Sequence, residues 1–331
     1  MDTFWITLNR GCSLRCSYCY AKDAPLSVIS PGVLRGLVDL ACEMDVGSIV
    51  YTGGEPSLYD GLNDAIVLAK SKGISCGFPS NGLLYGDIAE AVSLAETNVD
   101  SVSLSLKGWD EDSYLRKTGV DGYAVALRAA LNLVKAGIPV VASMVVESGE
   151  IMEWMSAIAM LKDRAGVDAF SFVPAFDSAR MKTGVSLAAE FASEFRGVYC
   201  TLDELTEGNF VVEQNMPMCL WDMDLINEMA KKNQLRSVCQ LFRGNGAVFD
   251  CDGKLIPCNS LFKYPIGSYG ADFITADQFM AHLNSAKVRE AVNSIISPPS
   301  RECLDCELYP VCAGGCATRW IHYSFEECKA I

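Results

Sequence analysis

The chain has 331 residues, of which 50% are hydrophobic and 21% charged, a mix that buries a sizeable core and excludes both a lone small binding module and global disorder. Its formal net charge is −14, so no basic field exists to attract a phosphate backbone and nucleic acid is not an expected partner. The length points to one large catalytic domain with a smaller appendage.

In chain order, the apolar stretch Phe4 to Leu8 is too short for a secretory signal, and Asn9-Arg10 follows it at once. Short β-branched runs then alternate with amphipathic stretches. Strands are expected at Phe4–Leu8, Gly47–Tyr51, Ile74–Pro79, Ser101–Leu106, Pro139–Val146 and Ala169–Pro174, and helices at Gly32–Glu43, Gly61–Ser71, Asp87–Glu96, Tyr123–Ala136 and Ile151–Arg164. Six such repeats predict an α/β fold, a partial (β/α)6 TIM-like barrel open on one side, with its chemistry at the C-terminal strand ends. The longest apolar neighbourhood, Val125 to Val146, is broken by Arg128, Asn132 and Lys135, so it does not span a bilayer. A cytoplasmic protein without a membrane partner is the expectation.

After Pro174 the rhythm changes to a helical stretch Leu187–Leu205 and a strand-like Asn209–Gln214. The expected division is a barrel over residues 1–180, a bridging region over 181–235, and a small Cys-rich α+β domain organised by metal over 236–331.

Fifteen cysteines in a reducing compartment point to metal rather than to disulfides. Cys12, Cys16 and Cys19 fall within eight residues on the loop after the first strand. Three thiolates can hold three irons of a [4Fe–4S] cube and leave the fourth open to a ligand. The alternative at these residues is a zinc knuckle or buried thiols. A second group comprises Cys239, Cys258, Cys303, Cys306, Cys312, Cys316 and Cys328, for which a pair of zinc sites is the alternative. Cys42, Cys76 and Cys200 read as core thiols. Asp252-Gly253 signals a two-residue hairpin that pairs Cys251 with Lys254 and leaves Cys258 about 13 Å farther along the strand face, so Cys251 is not expected to ligate with it. Cys219 remains a candidate ligand or hydrogen-atom donor. With only His282 and His322 available, acid–base work falls to other side chains.

The Cys12-x3-Cys16-x2-Cys19 spacing resembles the radical S-adenosylmethionine (SAM) enzymes, and the later cysteines resemble the seven-cysteine SPASM domain that carries two auxiliary [4Fe–4S] clusters. The resemblance implies Tyr18 near the adenine, Gly53, Gly54 and Glu55 (in Gly53-Gly54-Glu55-Pro56) at the methionine amino group, and Ser80, Asn81 and Ser105 as further SAM contacts. It places Arg116 at the SAM carboxylate, with a solvated helix face as the alternative. Lys107 departs from the usual Asp of that family's Ser-Leu-Asp-Gly, and with Cys219 it is a weak candidate for a catalytic role. It further implies Cys239, Cys258 and Cys316 at a first auxiliary cluster, whose fourth position is open or filled by Cys219, and Cys303, Cys306, Cys312 and Cys328 at a second.

The implied cofactors are thus SAM and three [4Fe–4S] clusters. The implied activity is reductive cleavage of SAM and hydrogen abstraction from a ribosomally made precursor peptide, giving a crosslink, an epimer or another oxidation. A sulfatase-type protein maturase, a modifier of a tetrapyrrole or sugar, and a non-catalytic iron–sulfur electron carrier are the other readings. An external one-electron donor is a required partner. Because the chain opens on the first barrel strand, a separate peptide-recognition protein is expected, and the net charge favours a basic or neutral peptide.

Overall fold

In the computed structural model, which describes residues 1–175, 185–236, 239, 244–296 and 298–322, strand and helix alternate from the first residues. Six strands, β1 (Thr3–Asn9), β2 (Ser48–Gly53), β3 (Ser75–Ser80), β4 (Ser101–Leu106), β5 (Val140–Val146) and β6 (Ala169–Pro174), lie side by side in sequence order. Each pairs parallel to the next, because an amphipathic helix crosses over between them. The barrel-type α/β core expected from periodicity is therefore present.

The connecting helices begin where the sequence can satisfy their first N–H groups. Helix α1 (Pro31–Glu43) has Pro at its first position, and the Ser30 side chain accepts from Val33 N. Helices α2 (Leu62–Ser71) and α3 (Ile88–Ala95) follow, the latter capped by Asp87. Helix α4 (Glu111–Thr118) carries a reciprocal capping box between Asp110 and Ser113 and stops at Gly119, whose φ of 72° suits a residue without a Cβ. Helix α5 (Tyr123–Lys135) and helix α6 (Ile151–Met160) complete the layer. The stretch expected to be helical to Arg164 leaves the α-helix at Met160 and continues as a π-helical turn over Leu161–Ala165.

The sheet does not stop at six strands. Helix α7 (Val185–Leu205) leads into β7 (Phe210–Glu213), parallel to β6, and helix α8 (Met223–Lys231) into β8 (Leu235–Arg236), parallel to β7. On the opposite edge, β9 (Gly246–Phe249) pairs parallel with β1, and β10 (Lys254–Ile256) and β11 (Gly267–Ser268) extend it by antiparallel ladders. The start of the Cys-rich segment thus joins the barrel sheet directly. Phe4, Phe249, Phe273 and Phe279 pack in tilted and edge-to-face pairs across this junction, an arrangement that adds specific geometry to the buried area.

Two expectations are corrected. In the hairpin, Leu255 pairs with Phe249 and Ile256 with Val248, so Asp250 faces Lys254, and Cys251 lies inside a three-residue turn closed by Gly253 at φ 77°. Cys42 and Cys200 are exposed whereas Cys76 is buried, because the first two fall on the outward phase of their helices. Among the described residues no helix is long and apolar enough to cross a membrane.

Candidate functional site

A cavity of 710 Å³ opens at the C-terminal ends of β1 to β6, where a parallel barrel gathers its loops. Its floor and walls bring together Cys12, Cys16, Cys19, Tyr18, Glu55 and Lys107, and Gly53, Gly54, Ser80, Asn81 and Ser105 also border it. Ser260 to Tyr264 and Thr318, from the Cys-rich segment, line the remaining side.

Backbone contacts from the loop after β2 and from the end of α4, and one side-chain contact from the loop after β3, fix the cysteine loop. Glu55 N donates to Gly11 O at 2.8 Å and Gly54 N to Asn9 O at 2.9 Å, while Arg15 N and Ser17 N donate to the last carbonyls of α4, Thr118 O (3.0 Å) and Lys117 O (3.1 Å). Asn81 Nδ2 adds a bond to Ser13 Oγ at 3.1 Å. The two glycines serve this assembly. A Cβ on Gly54 would lie 2.3 Å from Gly11 O, and one on Gly53 2.8 Å from Asn9 O. They let one loop approach another.

Glu55 is 3% exposed and staples the second strand loop to the third. Its Oε1 accepts from Ser57 N, Ser57 Oγ and Ser80 Oγ, and its Oε2 from Asn81 N at 2.7 Å. A carboxylate has about four acceptor positions spread over two oxygens, so Oε2 keeps capacity for one more donor. Ser80 and Asn81 are likewise engaged in the turn, accepting from Gly82 N and Leu83 N. Ser105 and Lys107 leave β4 toward the cavity half-buried. The Lys107 ammonium lies 5.8 Å from the centre of the Tyr18 ring.

Burial pushes the Cys12 and Cys16 thiols up, and Lys107 partly offsets this at Cys16 by favouring its thiolate. The Tyr18 hydroxyl is also raised, first by burial and then by the charge of Cys16, and its oxygen has no hydrogen-bond partner. The loop therefore presents three thiols beside an unpartnered buried hydroxyl and a cation, a donor set that fits a [4Fe–4S] cluster with one open iron. As the side chains stand, among the described residues no three metal-ligating groups already converge on one point.

Arg116 does not reach this cavity. It is exposed on α4, its guanidinium 5.8 Å from the Trp109 ring centre. The next residue, Lys117, turns inward instead, pairing with Glu150 and Glu147 and sitting over Trp109 and Trp154. Sequence reading missed this buried lysine; the available signal was its place on the Ser113, Tyr114, Lys117, Thr118 face of α4.

The later cysteines lie on short turns. Cys258 caps the 3-10 turn Asn259–Leu261. Tyr20 sits near both Cys19 and Cys258, its hydroxyl raised to about 12 mainly by burial, with Arg10 opposing. Cys303 lies within another 3-10 turn, Arg301–Asp305, and Cys306 follows at its end; Cys312 Sγ accepts from Met218 N at 3.2 Å, and Cys316 N donates to Asn215 O at 2.8 Å. Cys219 belongs with that group: burial raises its thiol, followed by the charges of Cys312 and Cys303. Cys239 is half-buried, and Cys328 lies outside the described residues. Cys251 is 4% exposed and points to Ser27 O, with its thiol raised to about 11 by burial. His282 bonds Ile266 O and packs on Phe273, a structural placement; the His322 side chain is outside the described residues.

The pattern of the Radical SAM superfamily matches residues 6–161. A probable GTP 3′,8-cyclase of Thermococcus kodakarensis is 28% identical over 147 residues, 44% of this chain and 47% of that protein. The sporulation killing factor maturation protein SkfB of Bacillus subtilis is 29% identical over 151 residues, 45% of this chain and 36% of its own. The chain thus spans under half the length of these curated relatives. Two solved structures share the fold over almost the whole chain. Native anSMEcpe with bound AdoMet and Cp18Cys peptide superposes with a TM-score of 0.71 at 19% identity, covering 99% of this chain and 96% of that one. Streptococcus suis SuiB bound to precursor peptide SuiA superposes with 0.74 at 17% identity, covering 98% and 74%.

Proposed function

We propose that this chain, whose residues 6–161 match the Radical SAM superfamily, is a peptide-modifying enzyme whose site is the cavity at the barrel's strand ends. The observation that carries this reading is the joint construction of the cavity, with the cysteine loop on one side and Ser260 to Tyr264 of the Cys-rich segment on the other. A substrate between them is enclosed by both halves of the chain.

A [4Fe–4S] cluster held there, reduced by an external one-electron donor, would supply reductive cleavage of bound SAM and so the means to take hydrogen from an unactivated C–H. The protein's own contribution is placement. In this reading Cys12, Cys16 and Cys19 hold the cluster, and Glu55 Oε2, with its remaining acceptor position, receives the methionine ammonium. Ser80 and Asn81 act by fixing that carboxylate rather than by touching SAM. Tyr18 offers a ring face to the adenine, and the half-buried Ser105 is a further contact. The apolar side chains of Leu14, Val145, Val173 and Phe262 on the cavity wall exclude water from the reacting carbon.

The Cys-rich segment from residue 236 is proposed as a SPASM-type domain holding auxiliary clusters at Cys239, Cys258 and Cys316 and at Cys303, Cys306, Cys312 and Cys328. The second group also has Cys219 beside it. A reducing, cytoplasmic setting and an external electron donor belong to the same reading. The resemblance to proteins named GTP 3′,8-cyclase supports a second one, in which a nucleotide takes the peptide's place. Anaerobic reconstitution with iron, sulfide, SAM and dithionite tests both: 5′-deoxyadenosine forms, and its rate rises on addition of a precursor peptide. A rise with GTP and none with peptide transfers the assignment to the nucleotide reading.

A further inference from the structure

Apart from the three cysteines of the loop, the charged side chains lining the cavity are two lysines and one carboxylate, a balance opposite in sign to that of the whole chain. Glu55 is the one carboxylate among the lining residues, and in the reading above its remaining acceptor position goes to the methionine ammonium rather than to a substrate. Two ammonium groups line the same space, Lys107 at the end of β4 and Lys263 on the side contributed by the Cys-rich segment. Among the described residues neither forms an ion pair with a carboxylate; each rests against an aromatic face, Lys107 at 5.8 Å from the Tyr18 centroid and Lys263 at 5.8 Å from that of Phe262.

Lys107 is half-buried and Lys263 is exposed at the mouth, so the pair runs from the cavity interior to its entrance. The net charge of −14 acts on a ligand in solution only within a screening distance of about 8 Å at physiological salt. Inside the cavity, local charges decide which side chain is accepted. Apolar walls lower the dielectric there, which strengthens a charge-assisted hydrogen bond to a lysine and penalises a buried charge of the same sign.

We propose that the cavity selects a substrate segment bearing an anionic group, a carboxylate of the peptide, held between Lys107 and Lys263. The proposal rests on the peptide-modifying reading above, and it reverses the sequence-based expectation of a basic or neutral peptide. Lys107 is then the residue that sets specificity within the cavity, and Lys263 guides entry.

The test uses the full chain, reconstituted and loaded with SAM, and three fluorescent peptides of equal length that differ only in a central Asp, Asn or Lys. The Asp peptide binds at least about tenfold more tightly than the other two, a difference of about 1.4 kcal/mol. Lys107→Met and Lys263→Met each remove most of that preference, Lys107→Arg retains it, and SAM affinity is unchanged in Lys263→Met. Lys263 is exposed, so its replacement leaves folding intact even where Lys107→Met does not. Equal affinity for the three peptides, preference for the Lys peptide, or loss of SAM binding in Lys107→Met with peptide preference intact overturns the proposal. GTP binding that depends on both lysines, with no binding of any peptide, keeps the anion site and overturns the peptide reading. If neither GTP nor any peptide binds, the anion site falls as well.

Discussion

The cysteine loop at residues 12–19 and the cysteine turns at residues 303–316 carry the same side-chain chemistry on different supports. Backbone bonds to Gly54, Glu55, Lys117 and Thr118 set the shape of the first, so the barrel dictates where its thiols stand. The second rests on a five-residue 3-10 turn and a four-residue helix, joined to the barrel side through Gln214, Asn215 and Met218. A metal bound at the first is a guest of a finished scaffold. The turns of the second are short, so under the proposed reading a metal bound there would contribute its binding free energy to folding.

The largest expected effect follows from that contrast. Replacing Cys303 and Cys306 with Ala unfolds the segment after residue 296 and leaves the barrel folded, a loss on the order of 10 kcal/mol locally if the turns depend on metal as small metal-organised domains do. Limited proteolysis with mass mapping shows it as new cleavage confined to that segment. Protection equal to wild type would remove the distinction between the two supports.

Next in size is the link between the regions. Arg10 at the end of β1 is 5% exposed and pairs with Asp250 in the β9–β10 turn at 2.8 Å, and its guanidinium stacks over Phe262 at 5.0 Å. Arg10→Met leaves Asp250 without its cation and costs about 3 kcal/mol, while Arg10→Met with Asp250→Asn recovers most of it. A urea-unfolding double-mutant cycle measures the recovery, and strict additivity contradicts the coupling.

Gly54→Ala sharpens the account of the first loop. Its new methyl meets Gly11 O at 2.3 Å, backbone that cannot rotate away, so stability falls by about 2 kcal/mol. The cysteine loop shifts, and SAM-dependent activity falls by more than the lost stability explains.

Much of this was legible before the structure. The six barrel strands and five of the helices between them announce themselves by period, whereas helix α4, whose Glu111–Thr118 stretch is mostly polar, was not among them. The pairing of β9 with β1 was not legible, because it joins segments more than 240 residues apart and no local pattern encodes a partner. The hairpin register failed for a local reason. Asp252-Gly253 reads as a two-residue turn, yet the chain places Gly253 last in a three-residue turn, and one residue of slip changes which side chain faces which. At the site, the pattern identified Glu55, Ser80 and Asn81 but not that they bind one another. It chose Arg116 where the phase of α4 turns Lys117 inward, and both choices needed the third dimension.

The smallest effect concerns Cys251. Its thiol, raised to about 11 by burial, stays protonated in the folded chain where the unfolded one ionises. Stability therefore holds below pH about 9 and declines as pH rises toward 11. Cys251→Ala makes that decline shallower in denaturant titrations, costs about 1 kcal/mol at neutral pH and leaves iron content unchanged. Loss of iron would make Cys251 a ligand after all.

The central claim is that the barrel loop alone carries SAM chemistry, and the triple variant Cys12→Ala, Cys16→Ala, Cys19→Ala tests it most directly. Reconstituted anaerobically and reduced with dithionite, it is assayed for 5′-deoxyadenosine and for iron. The account predicts a folded chain that loses one cluster's iron and forms no 5′-deoxyadenosine; continued formation at the wild-type rate would contradict it.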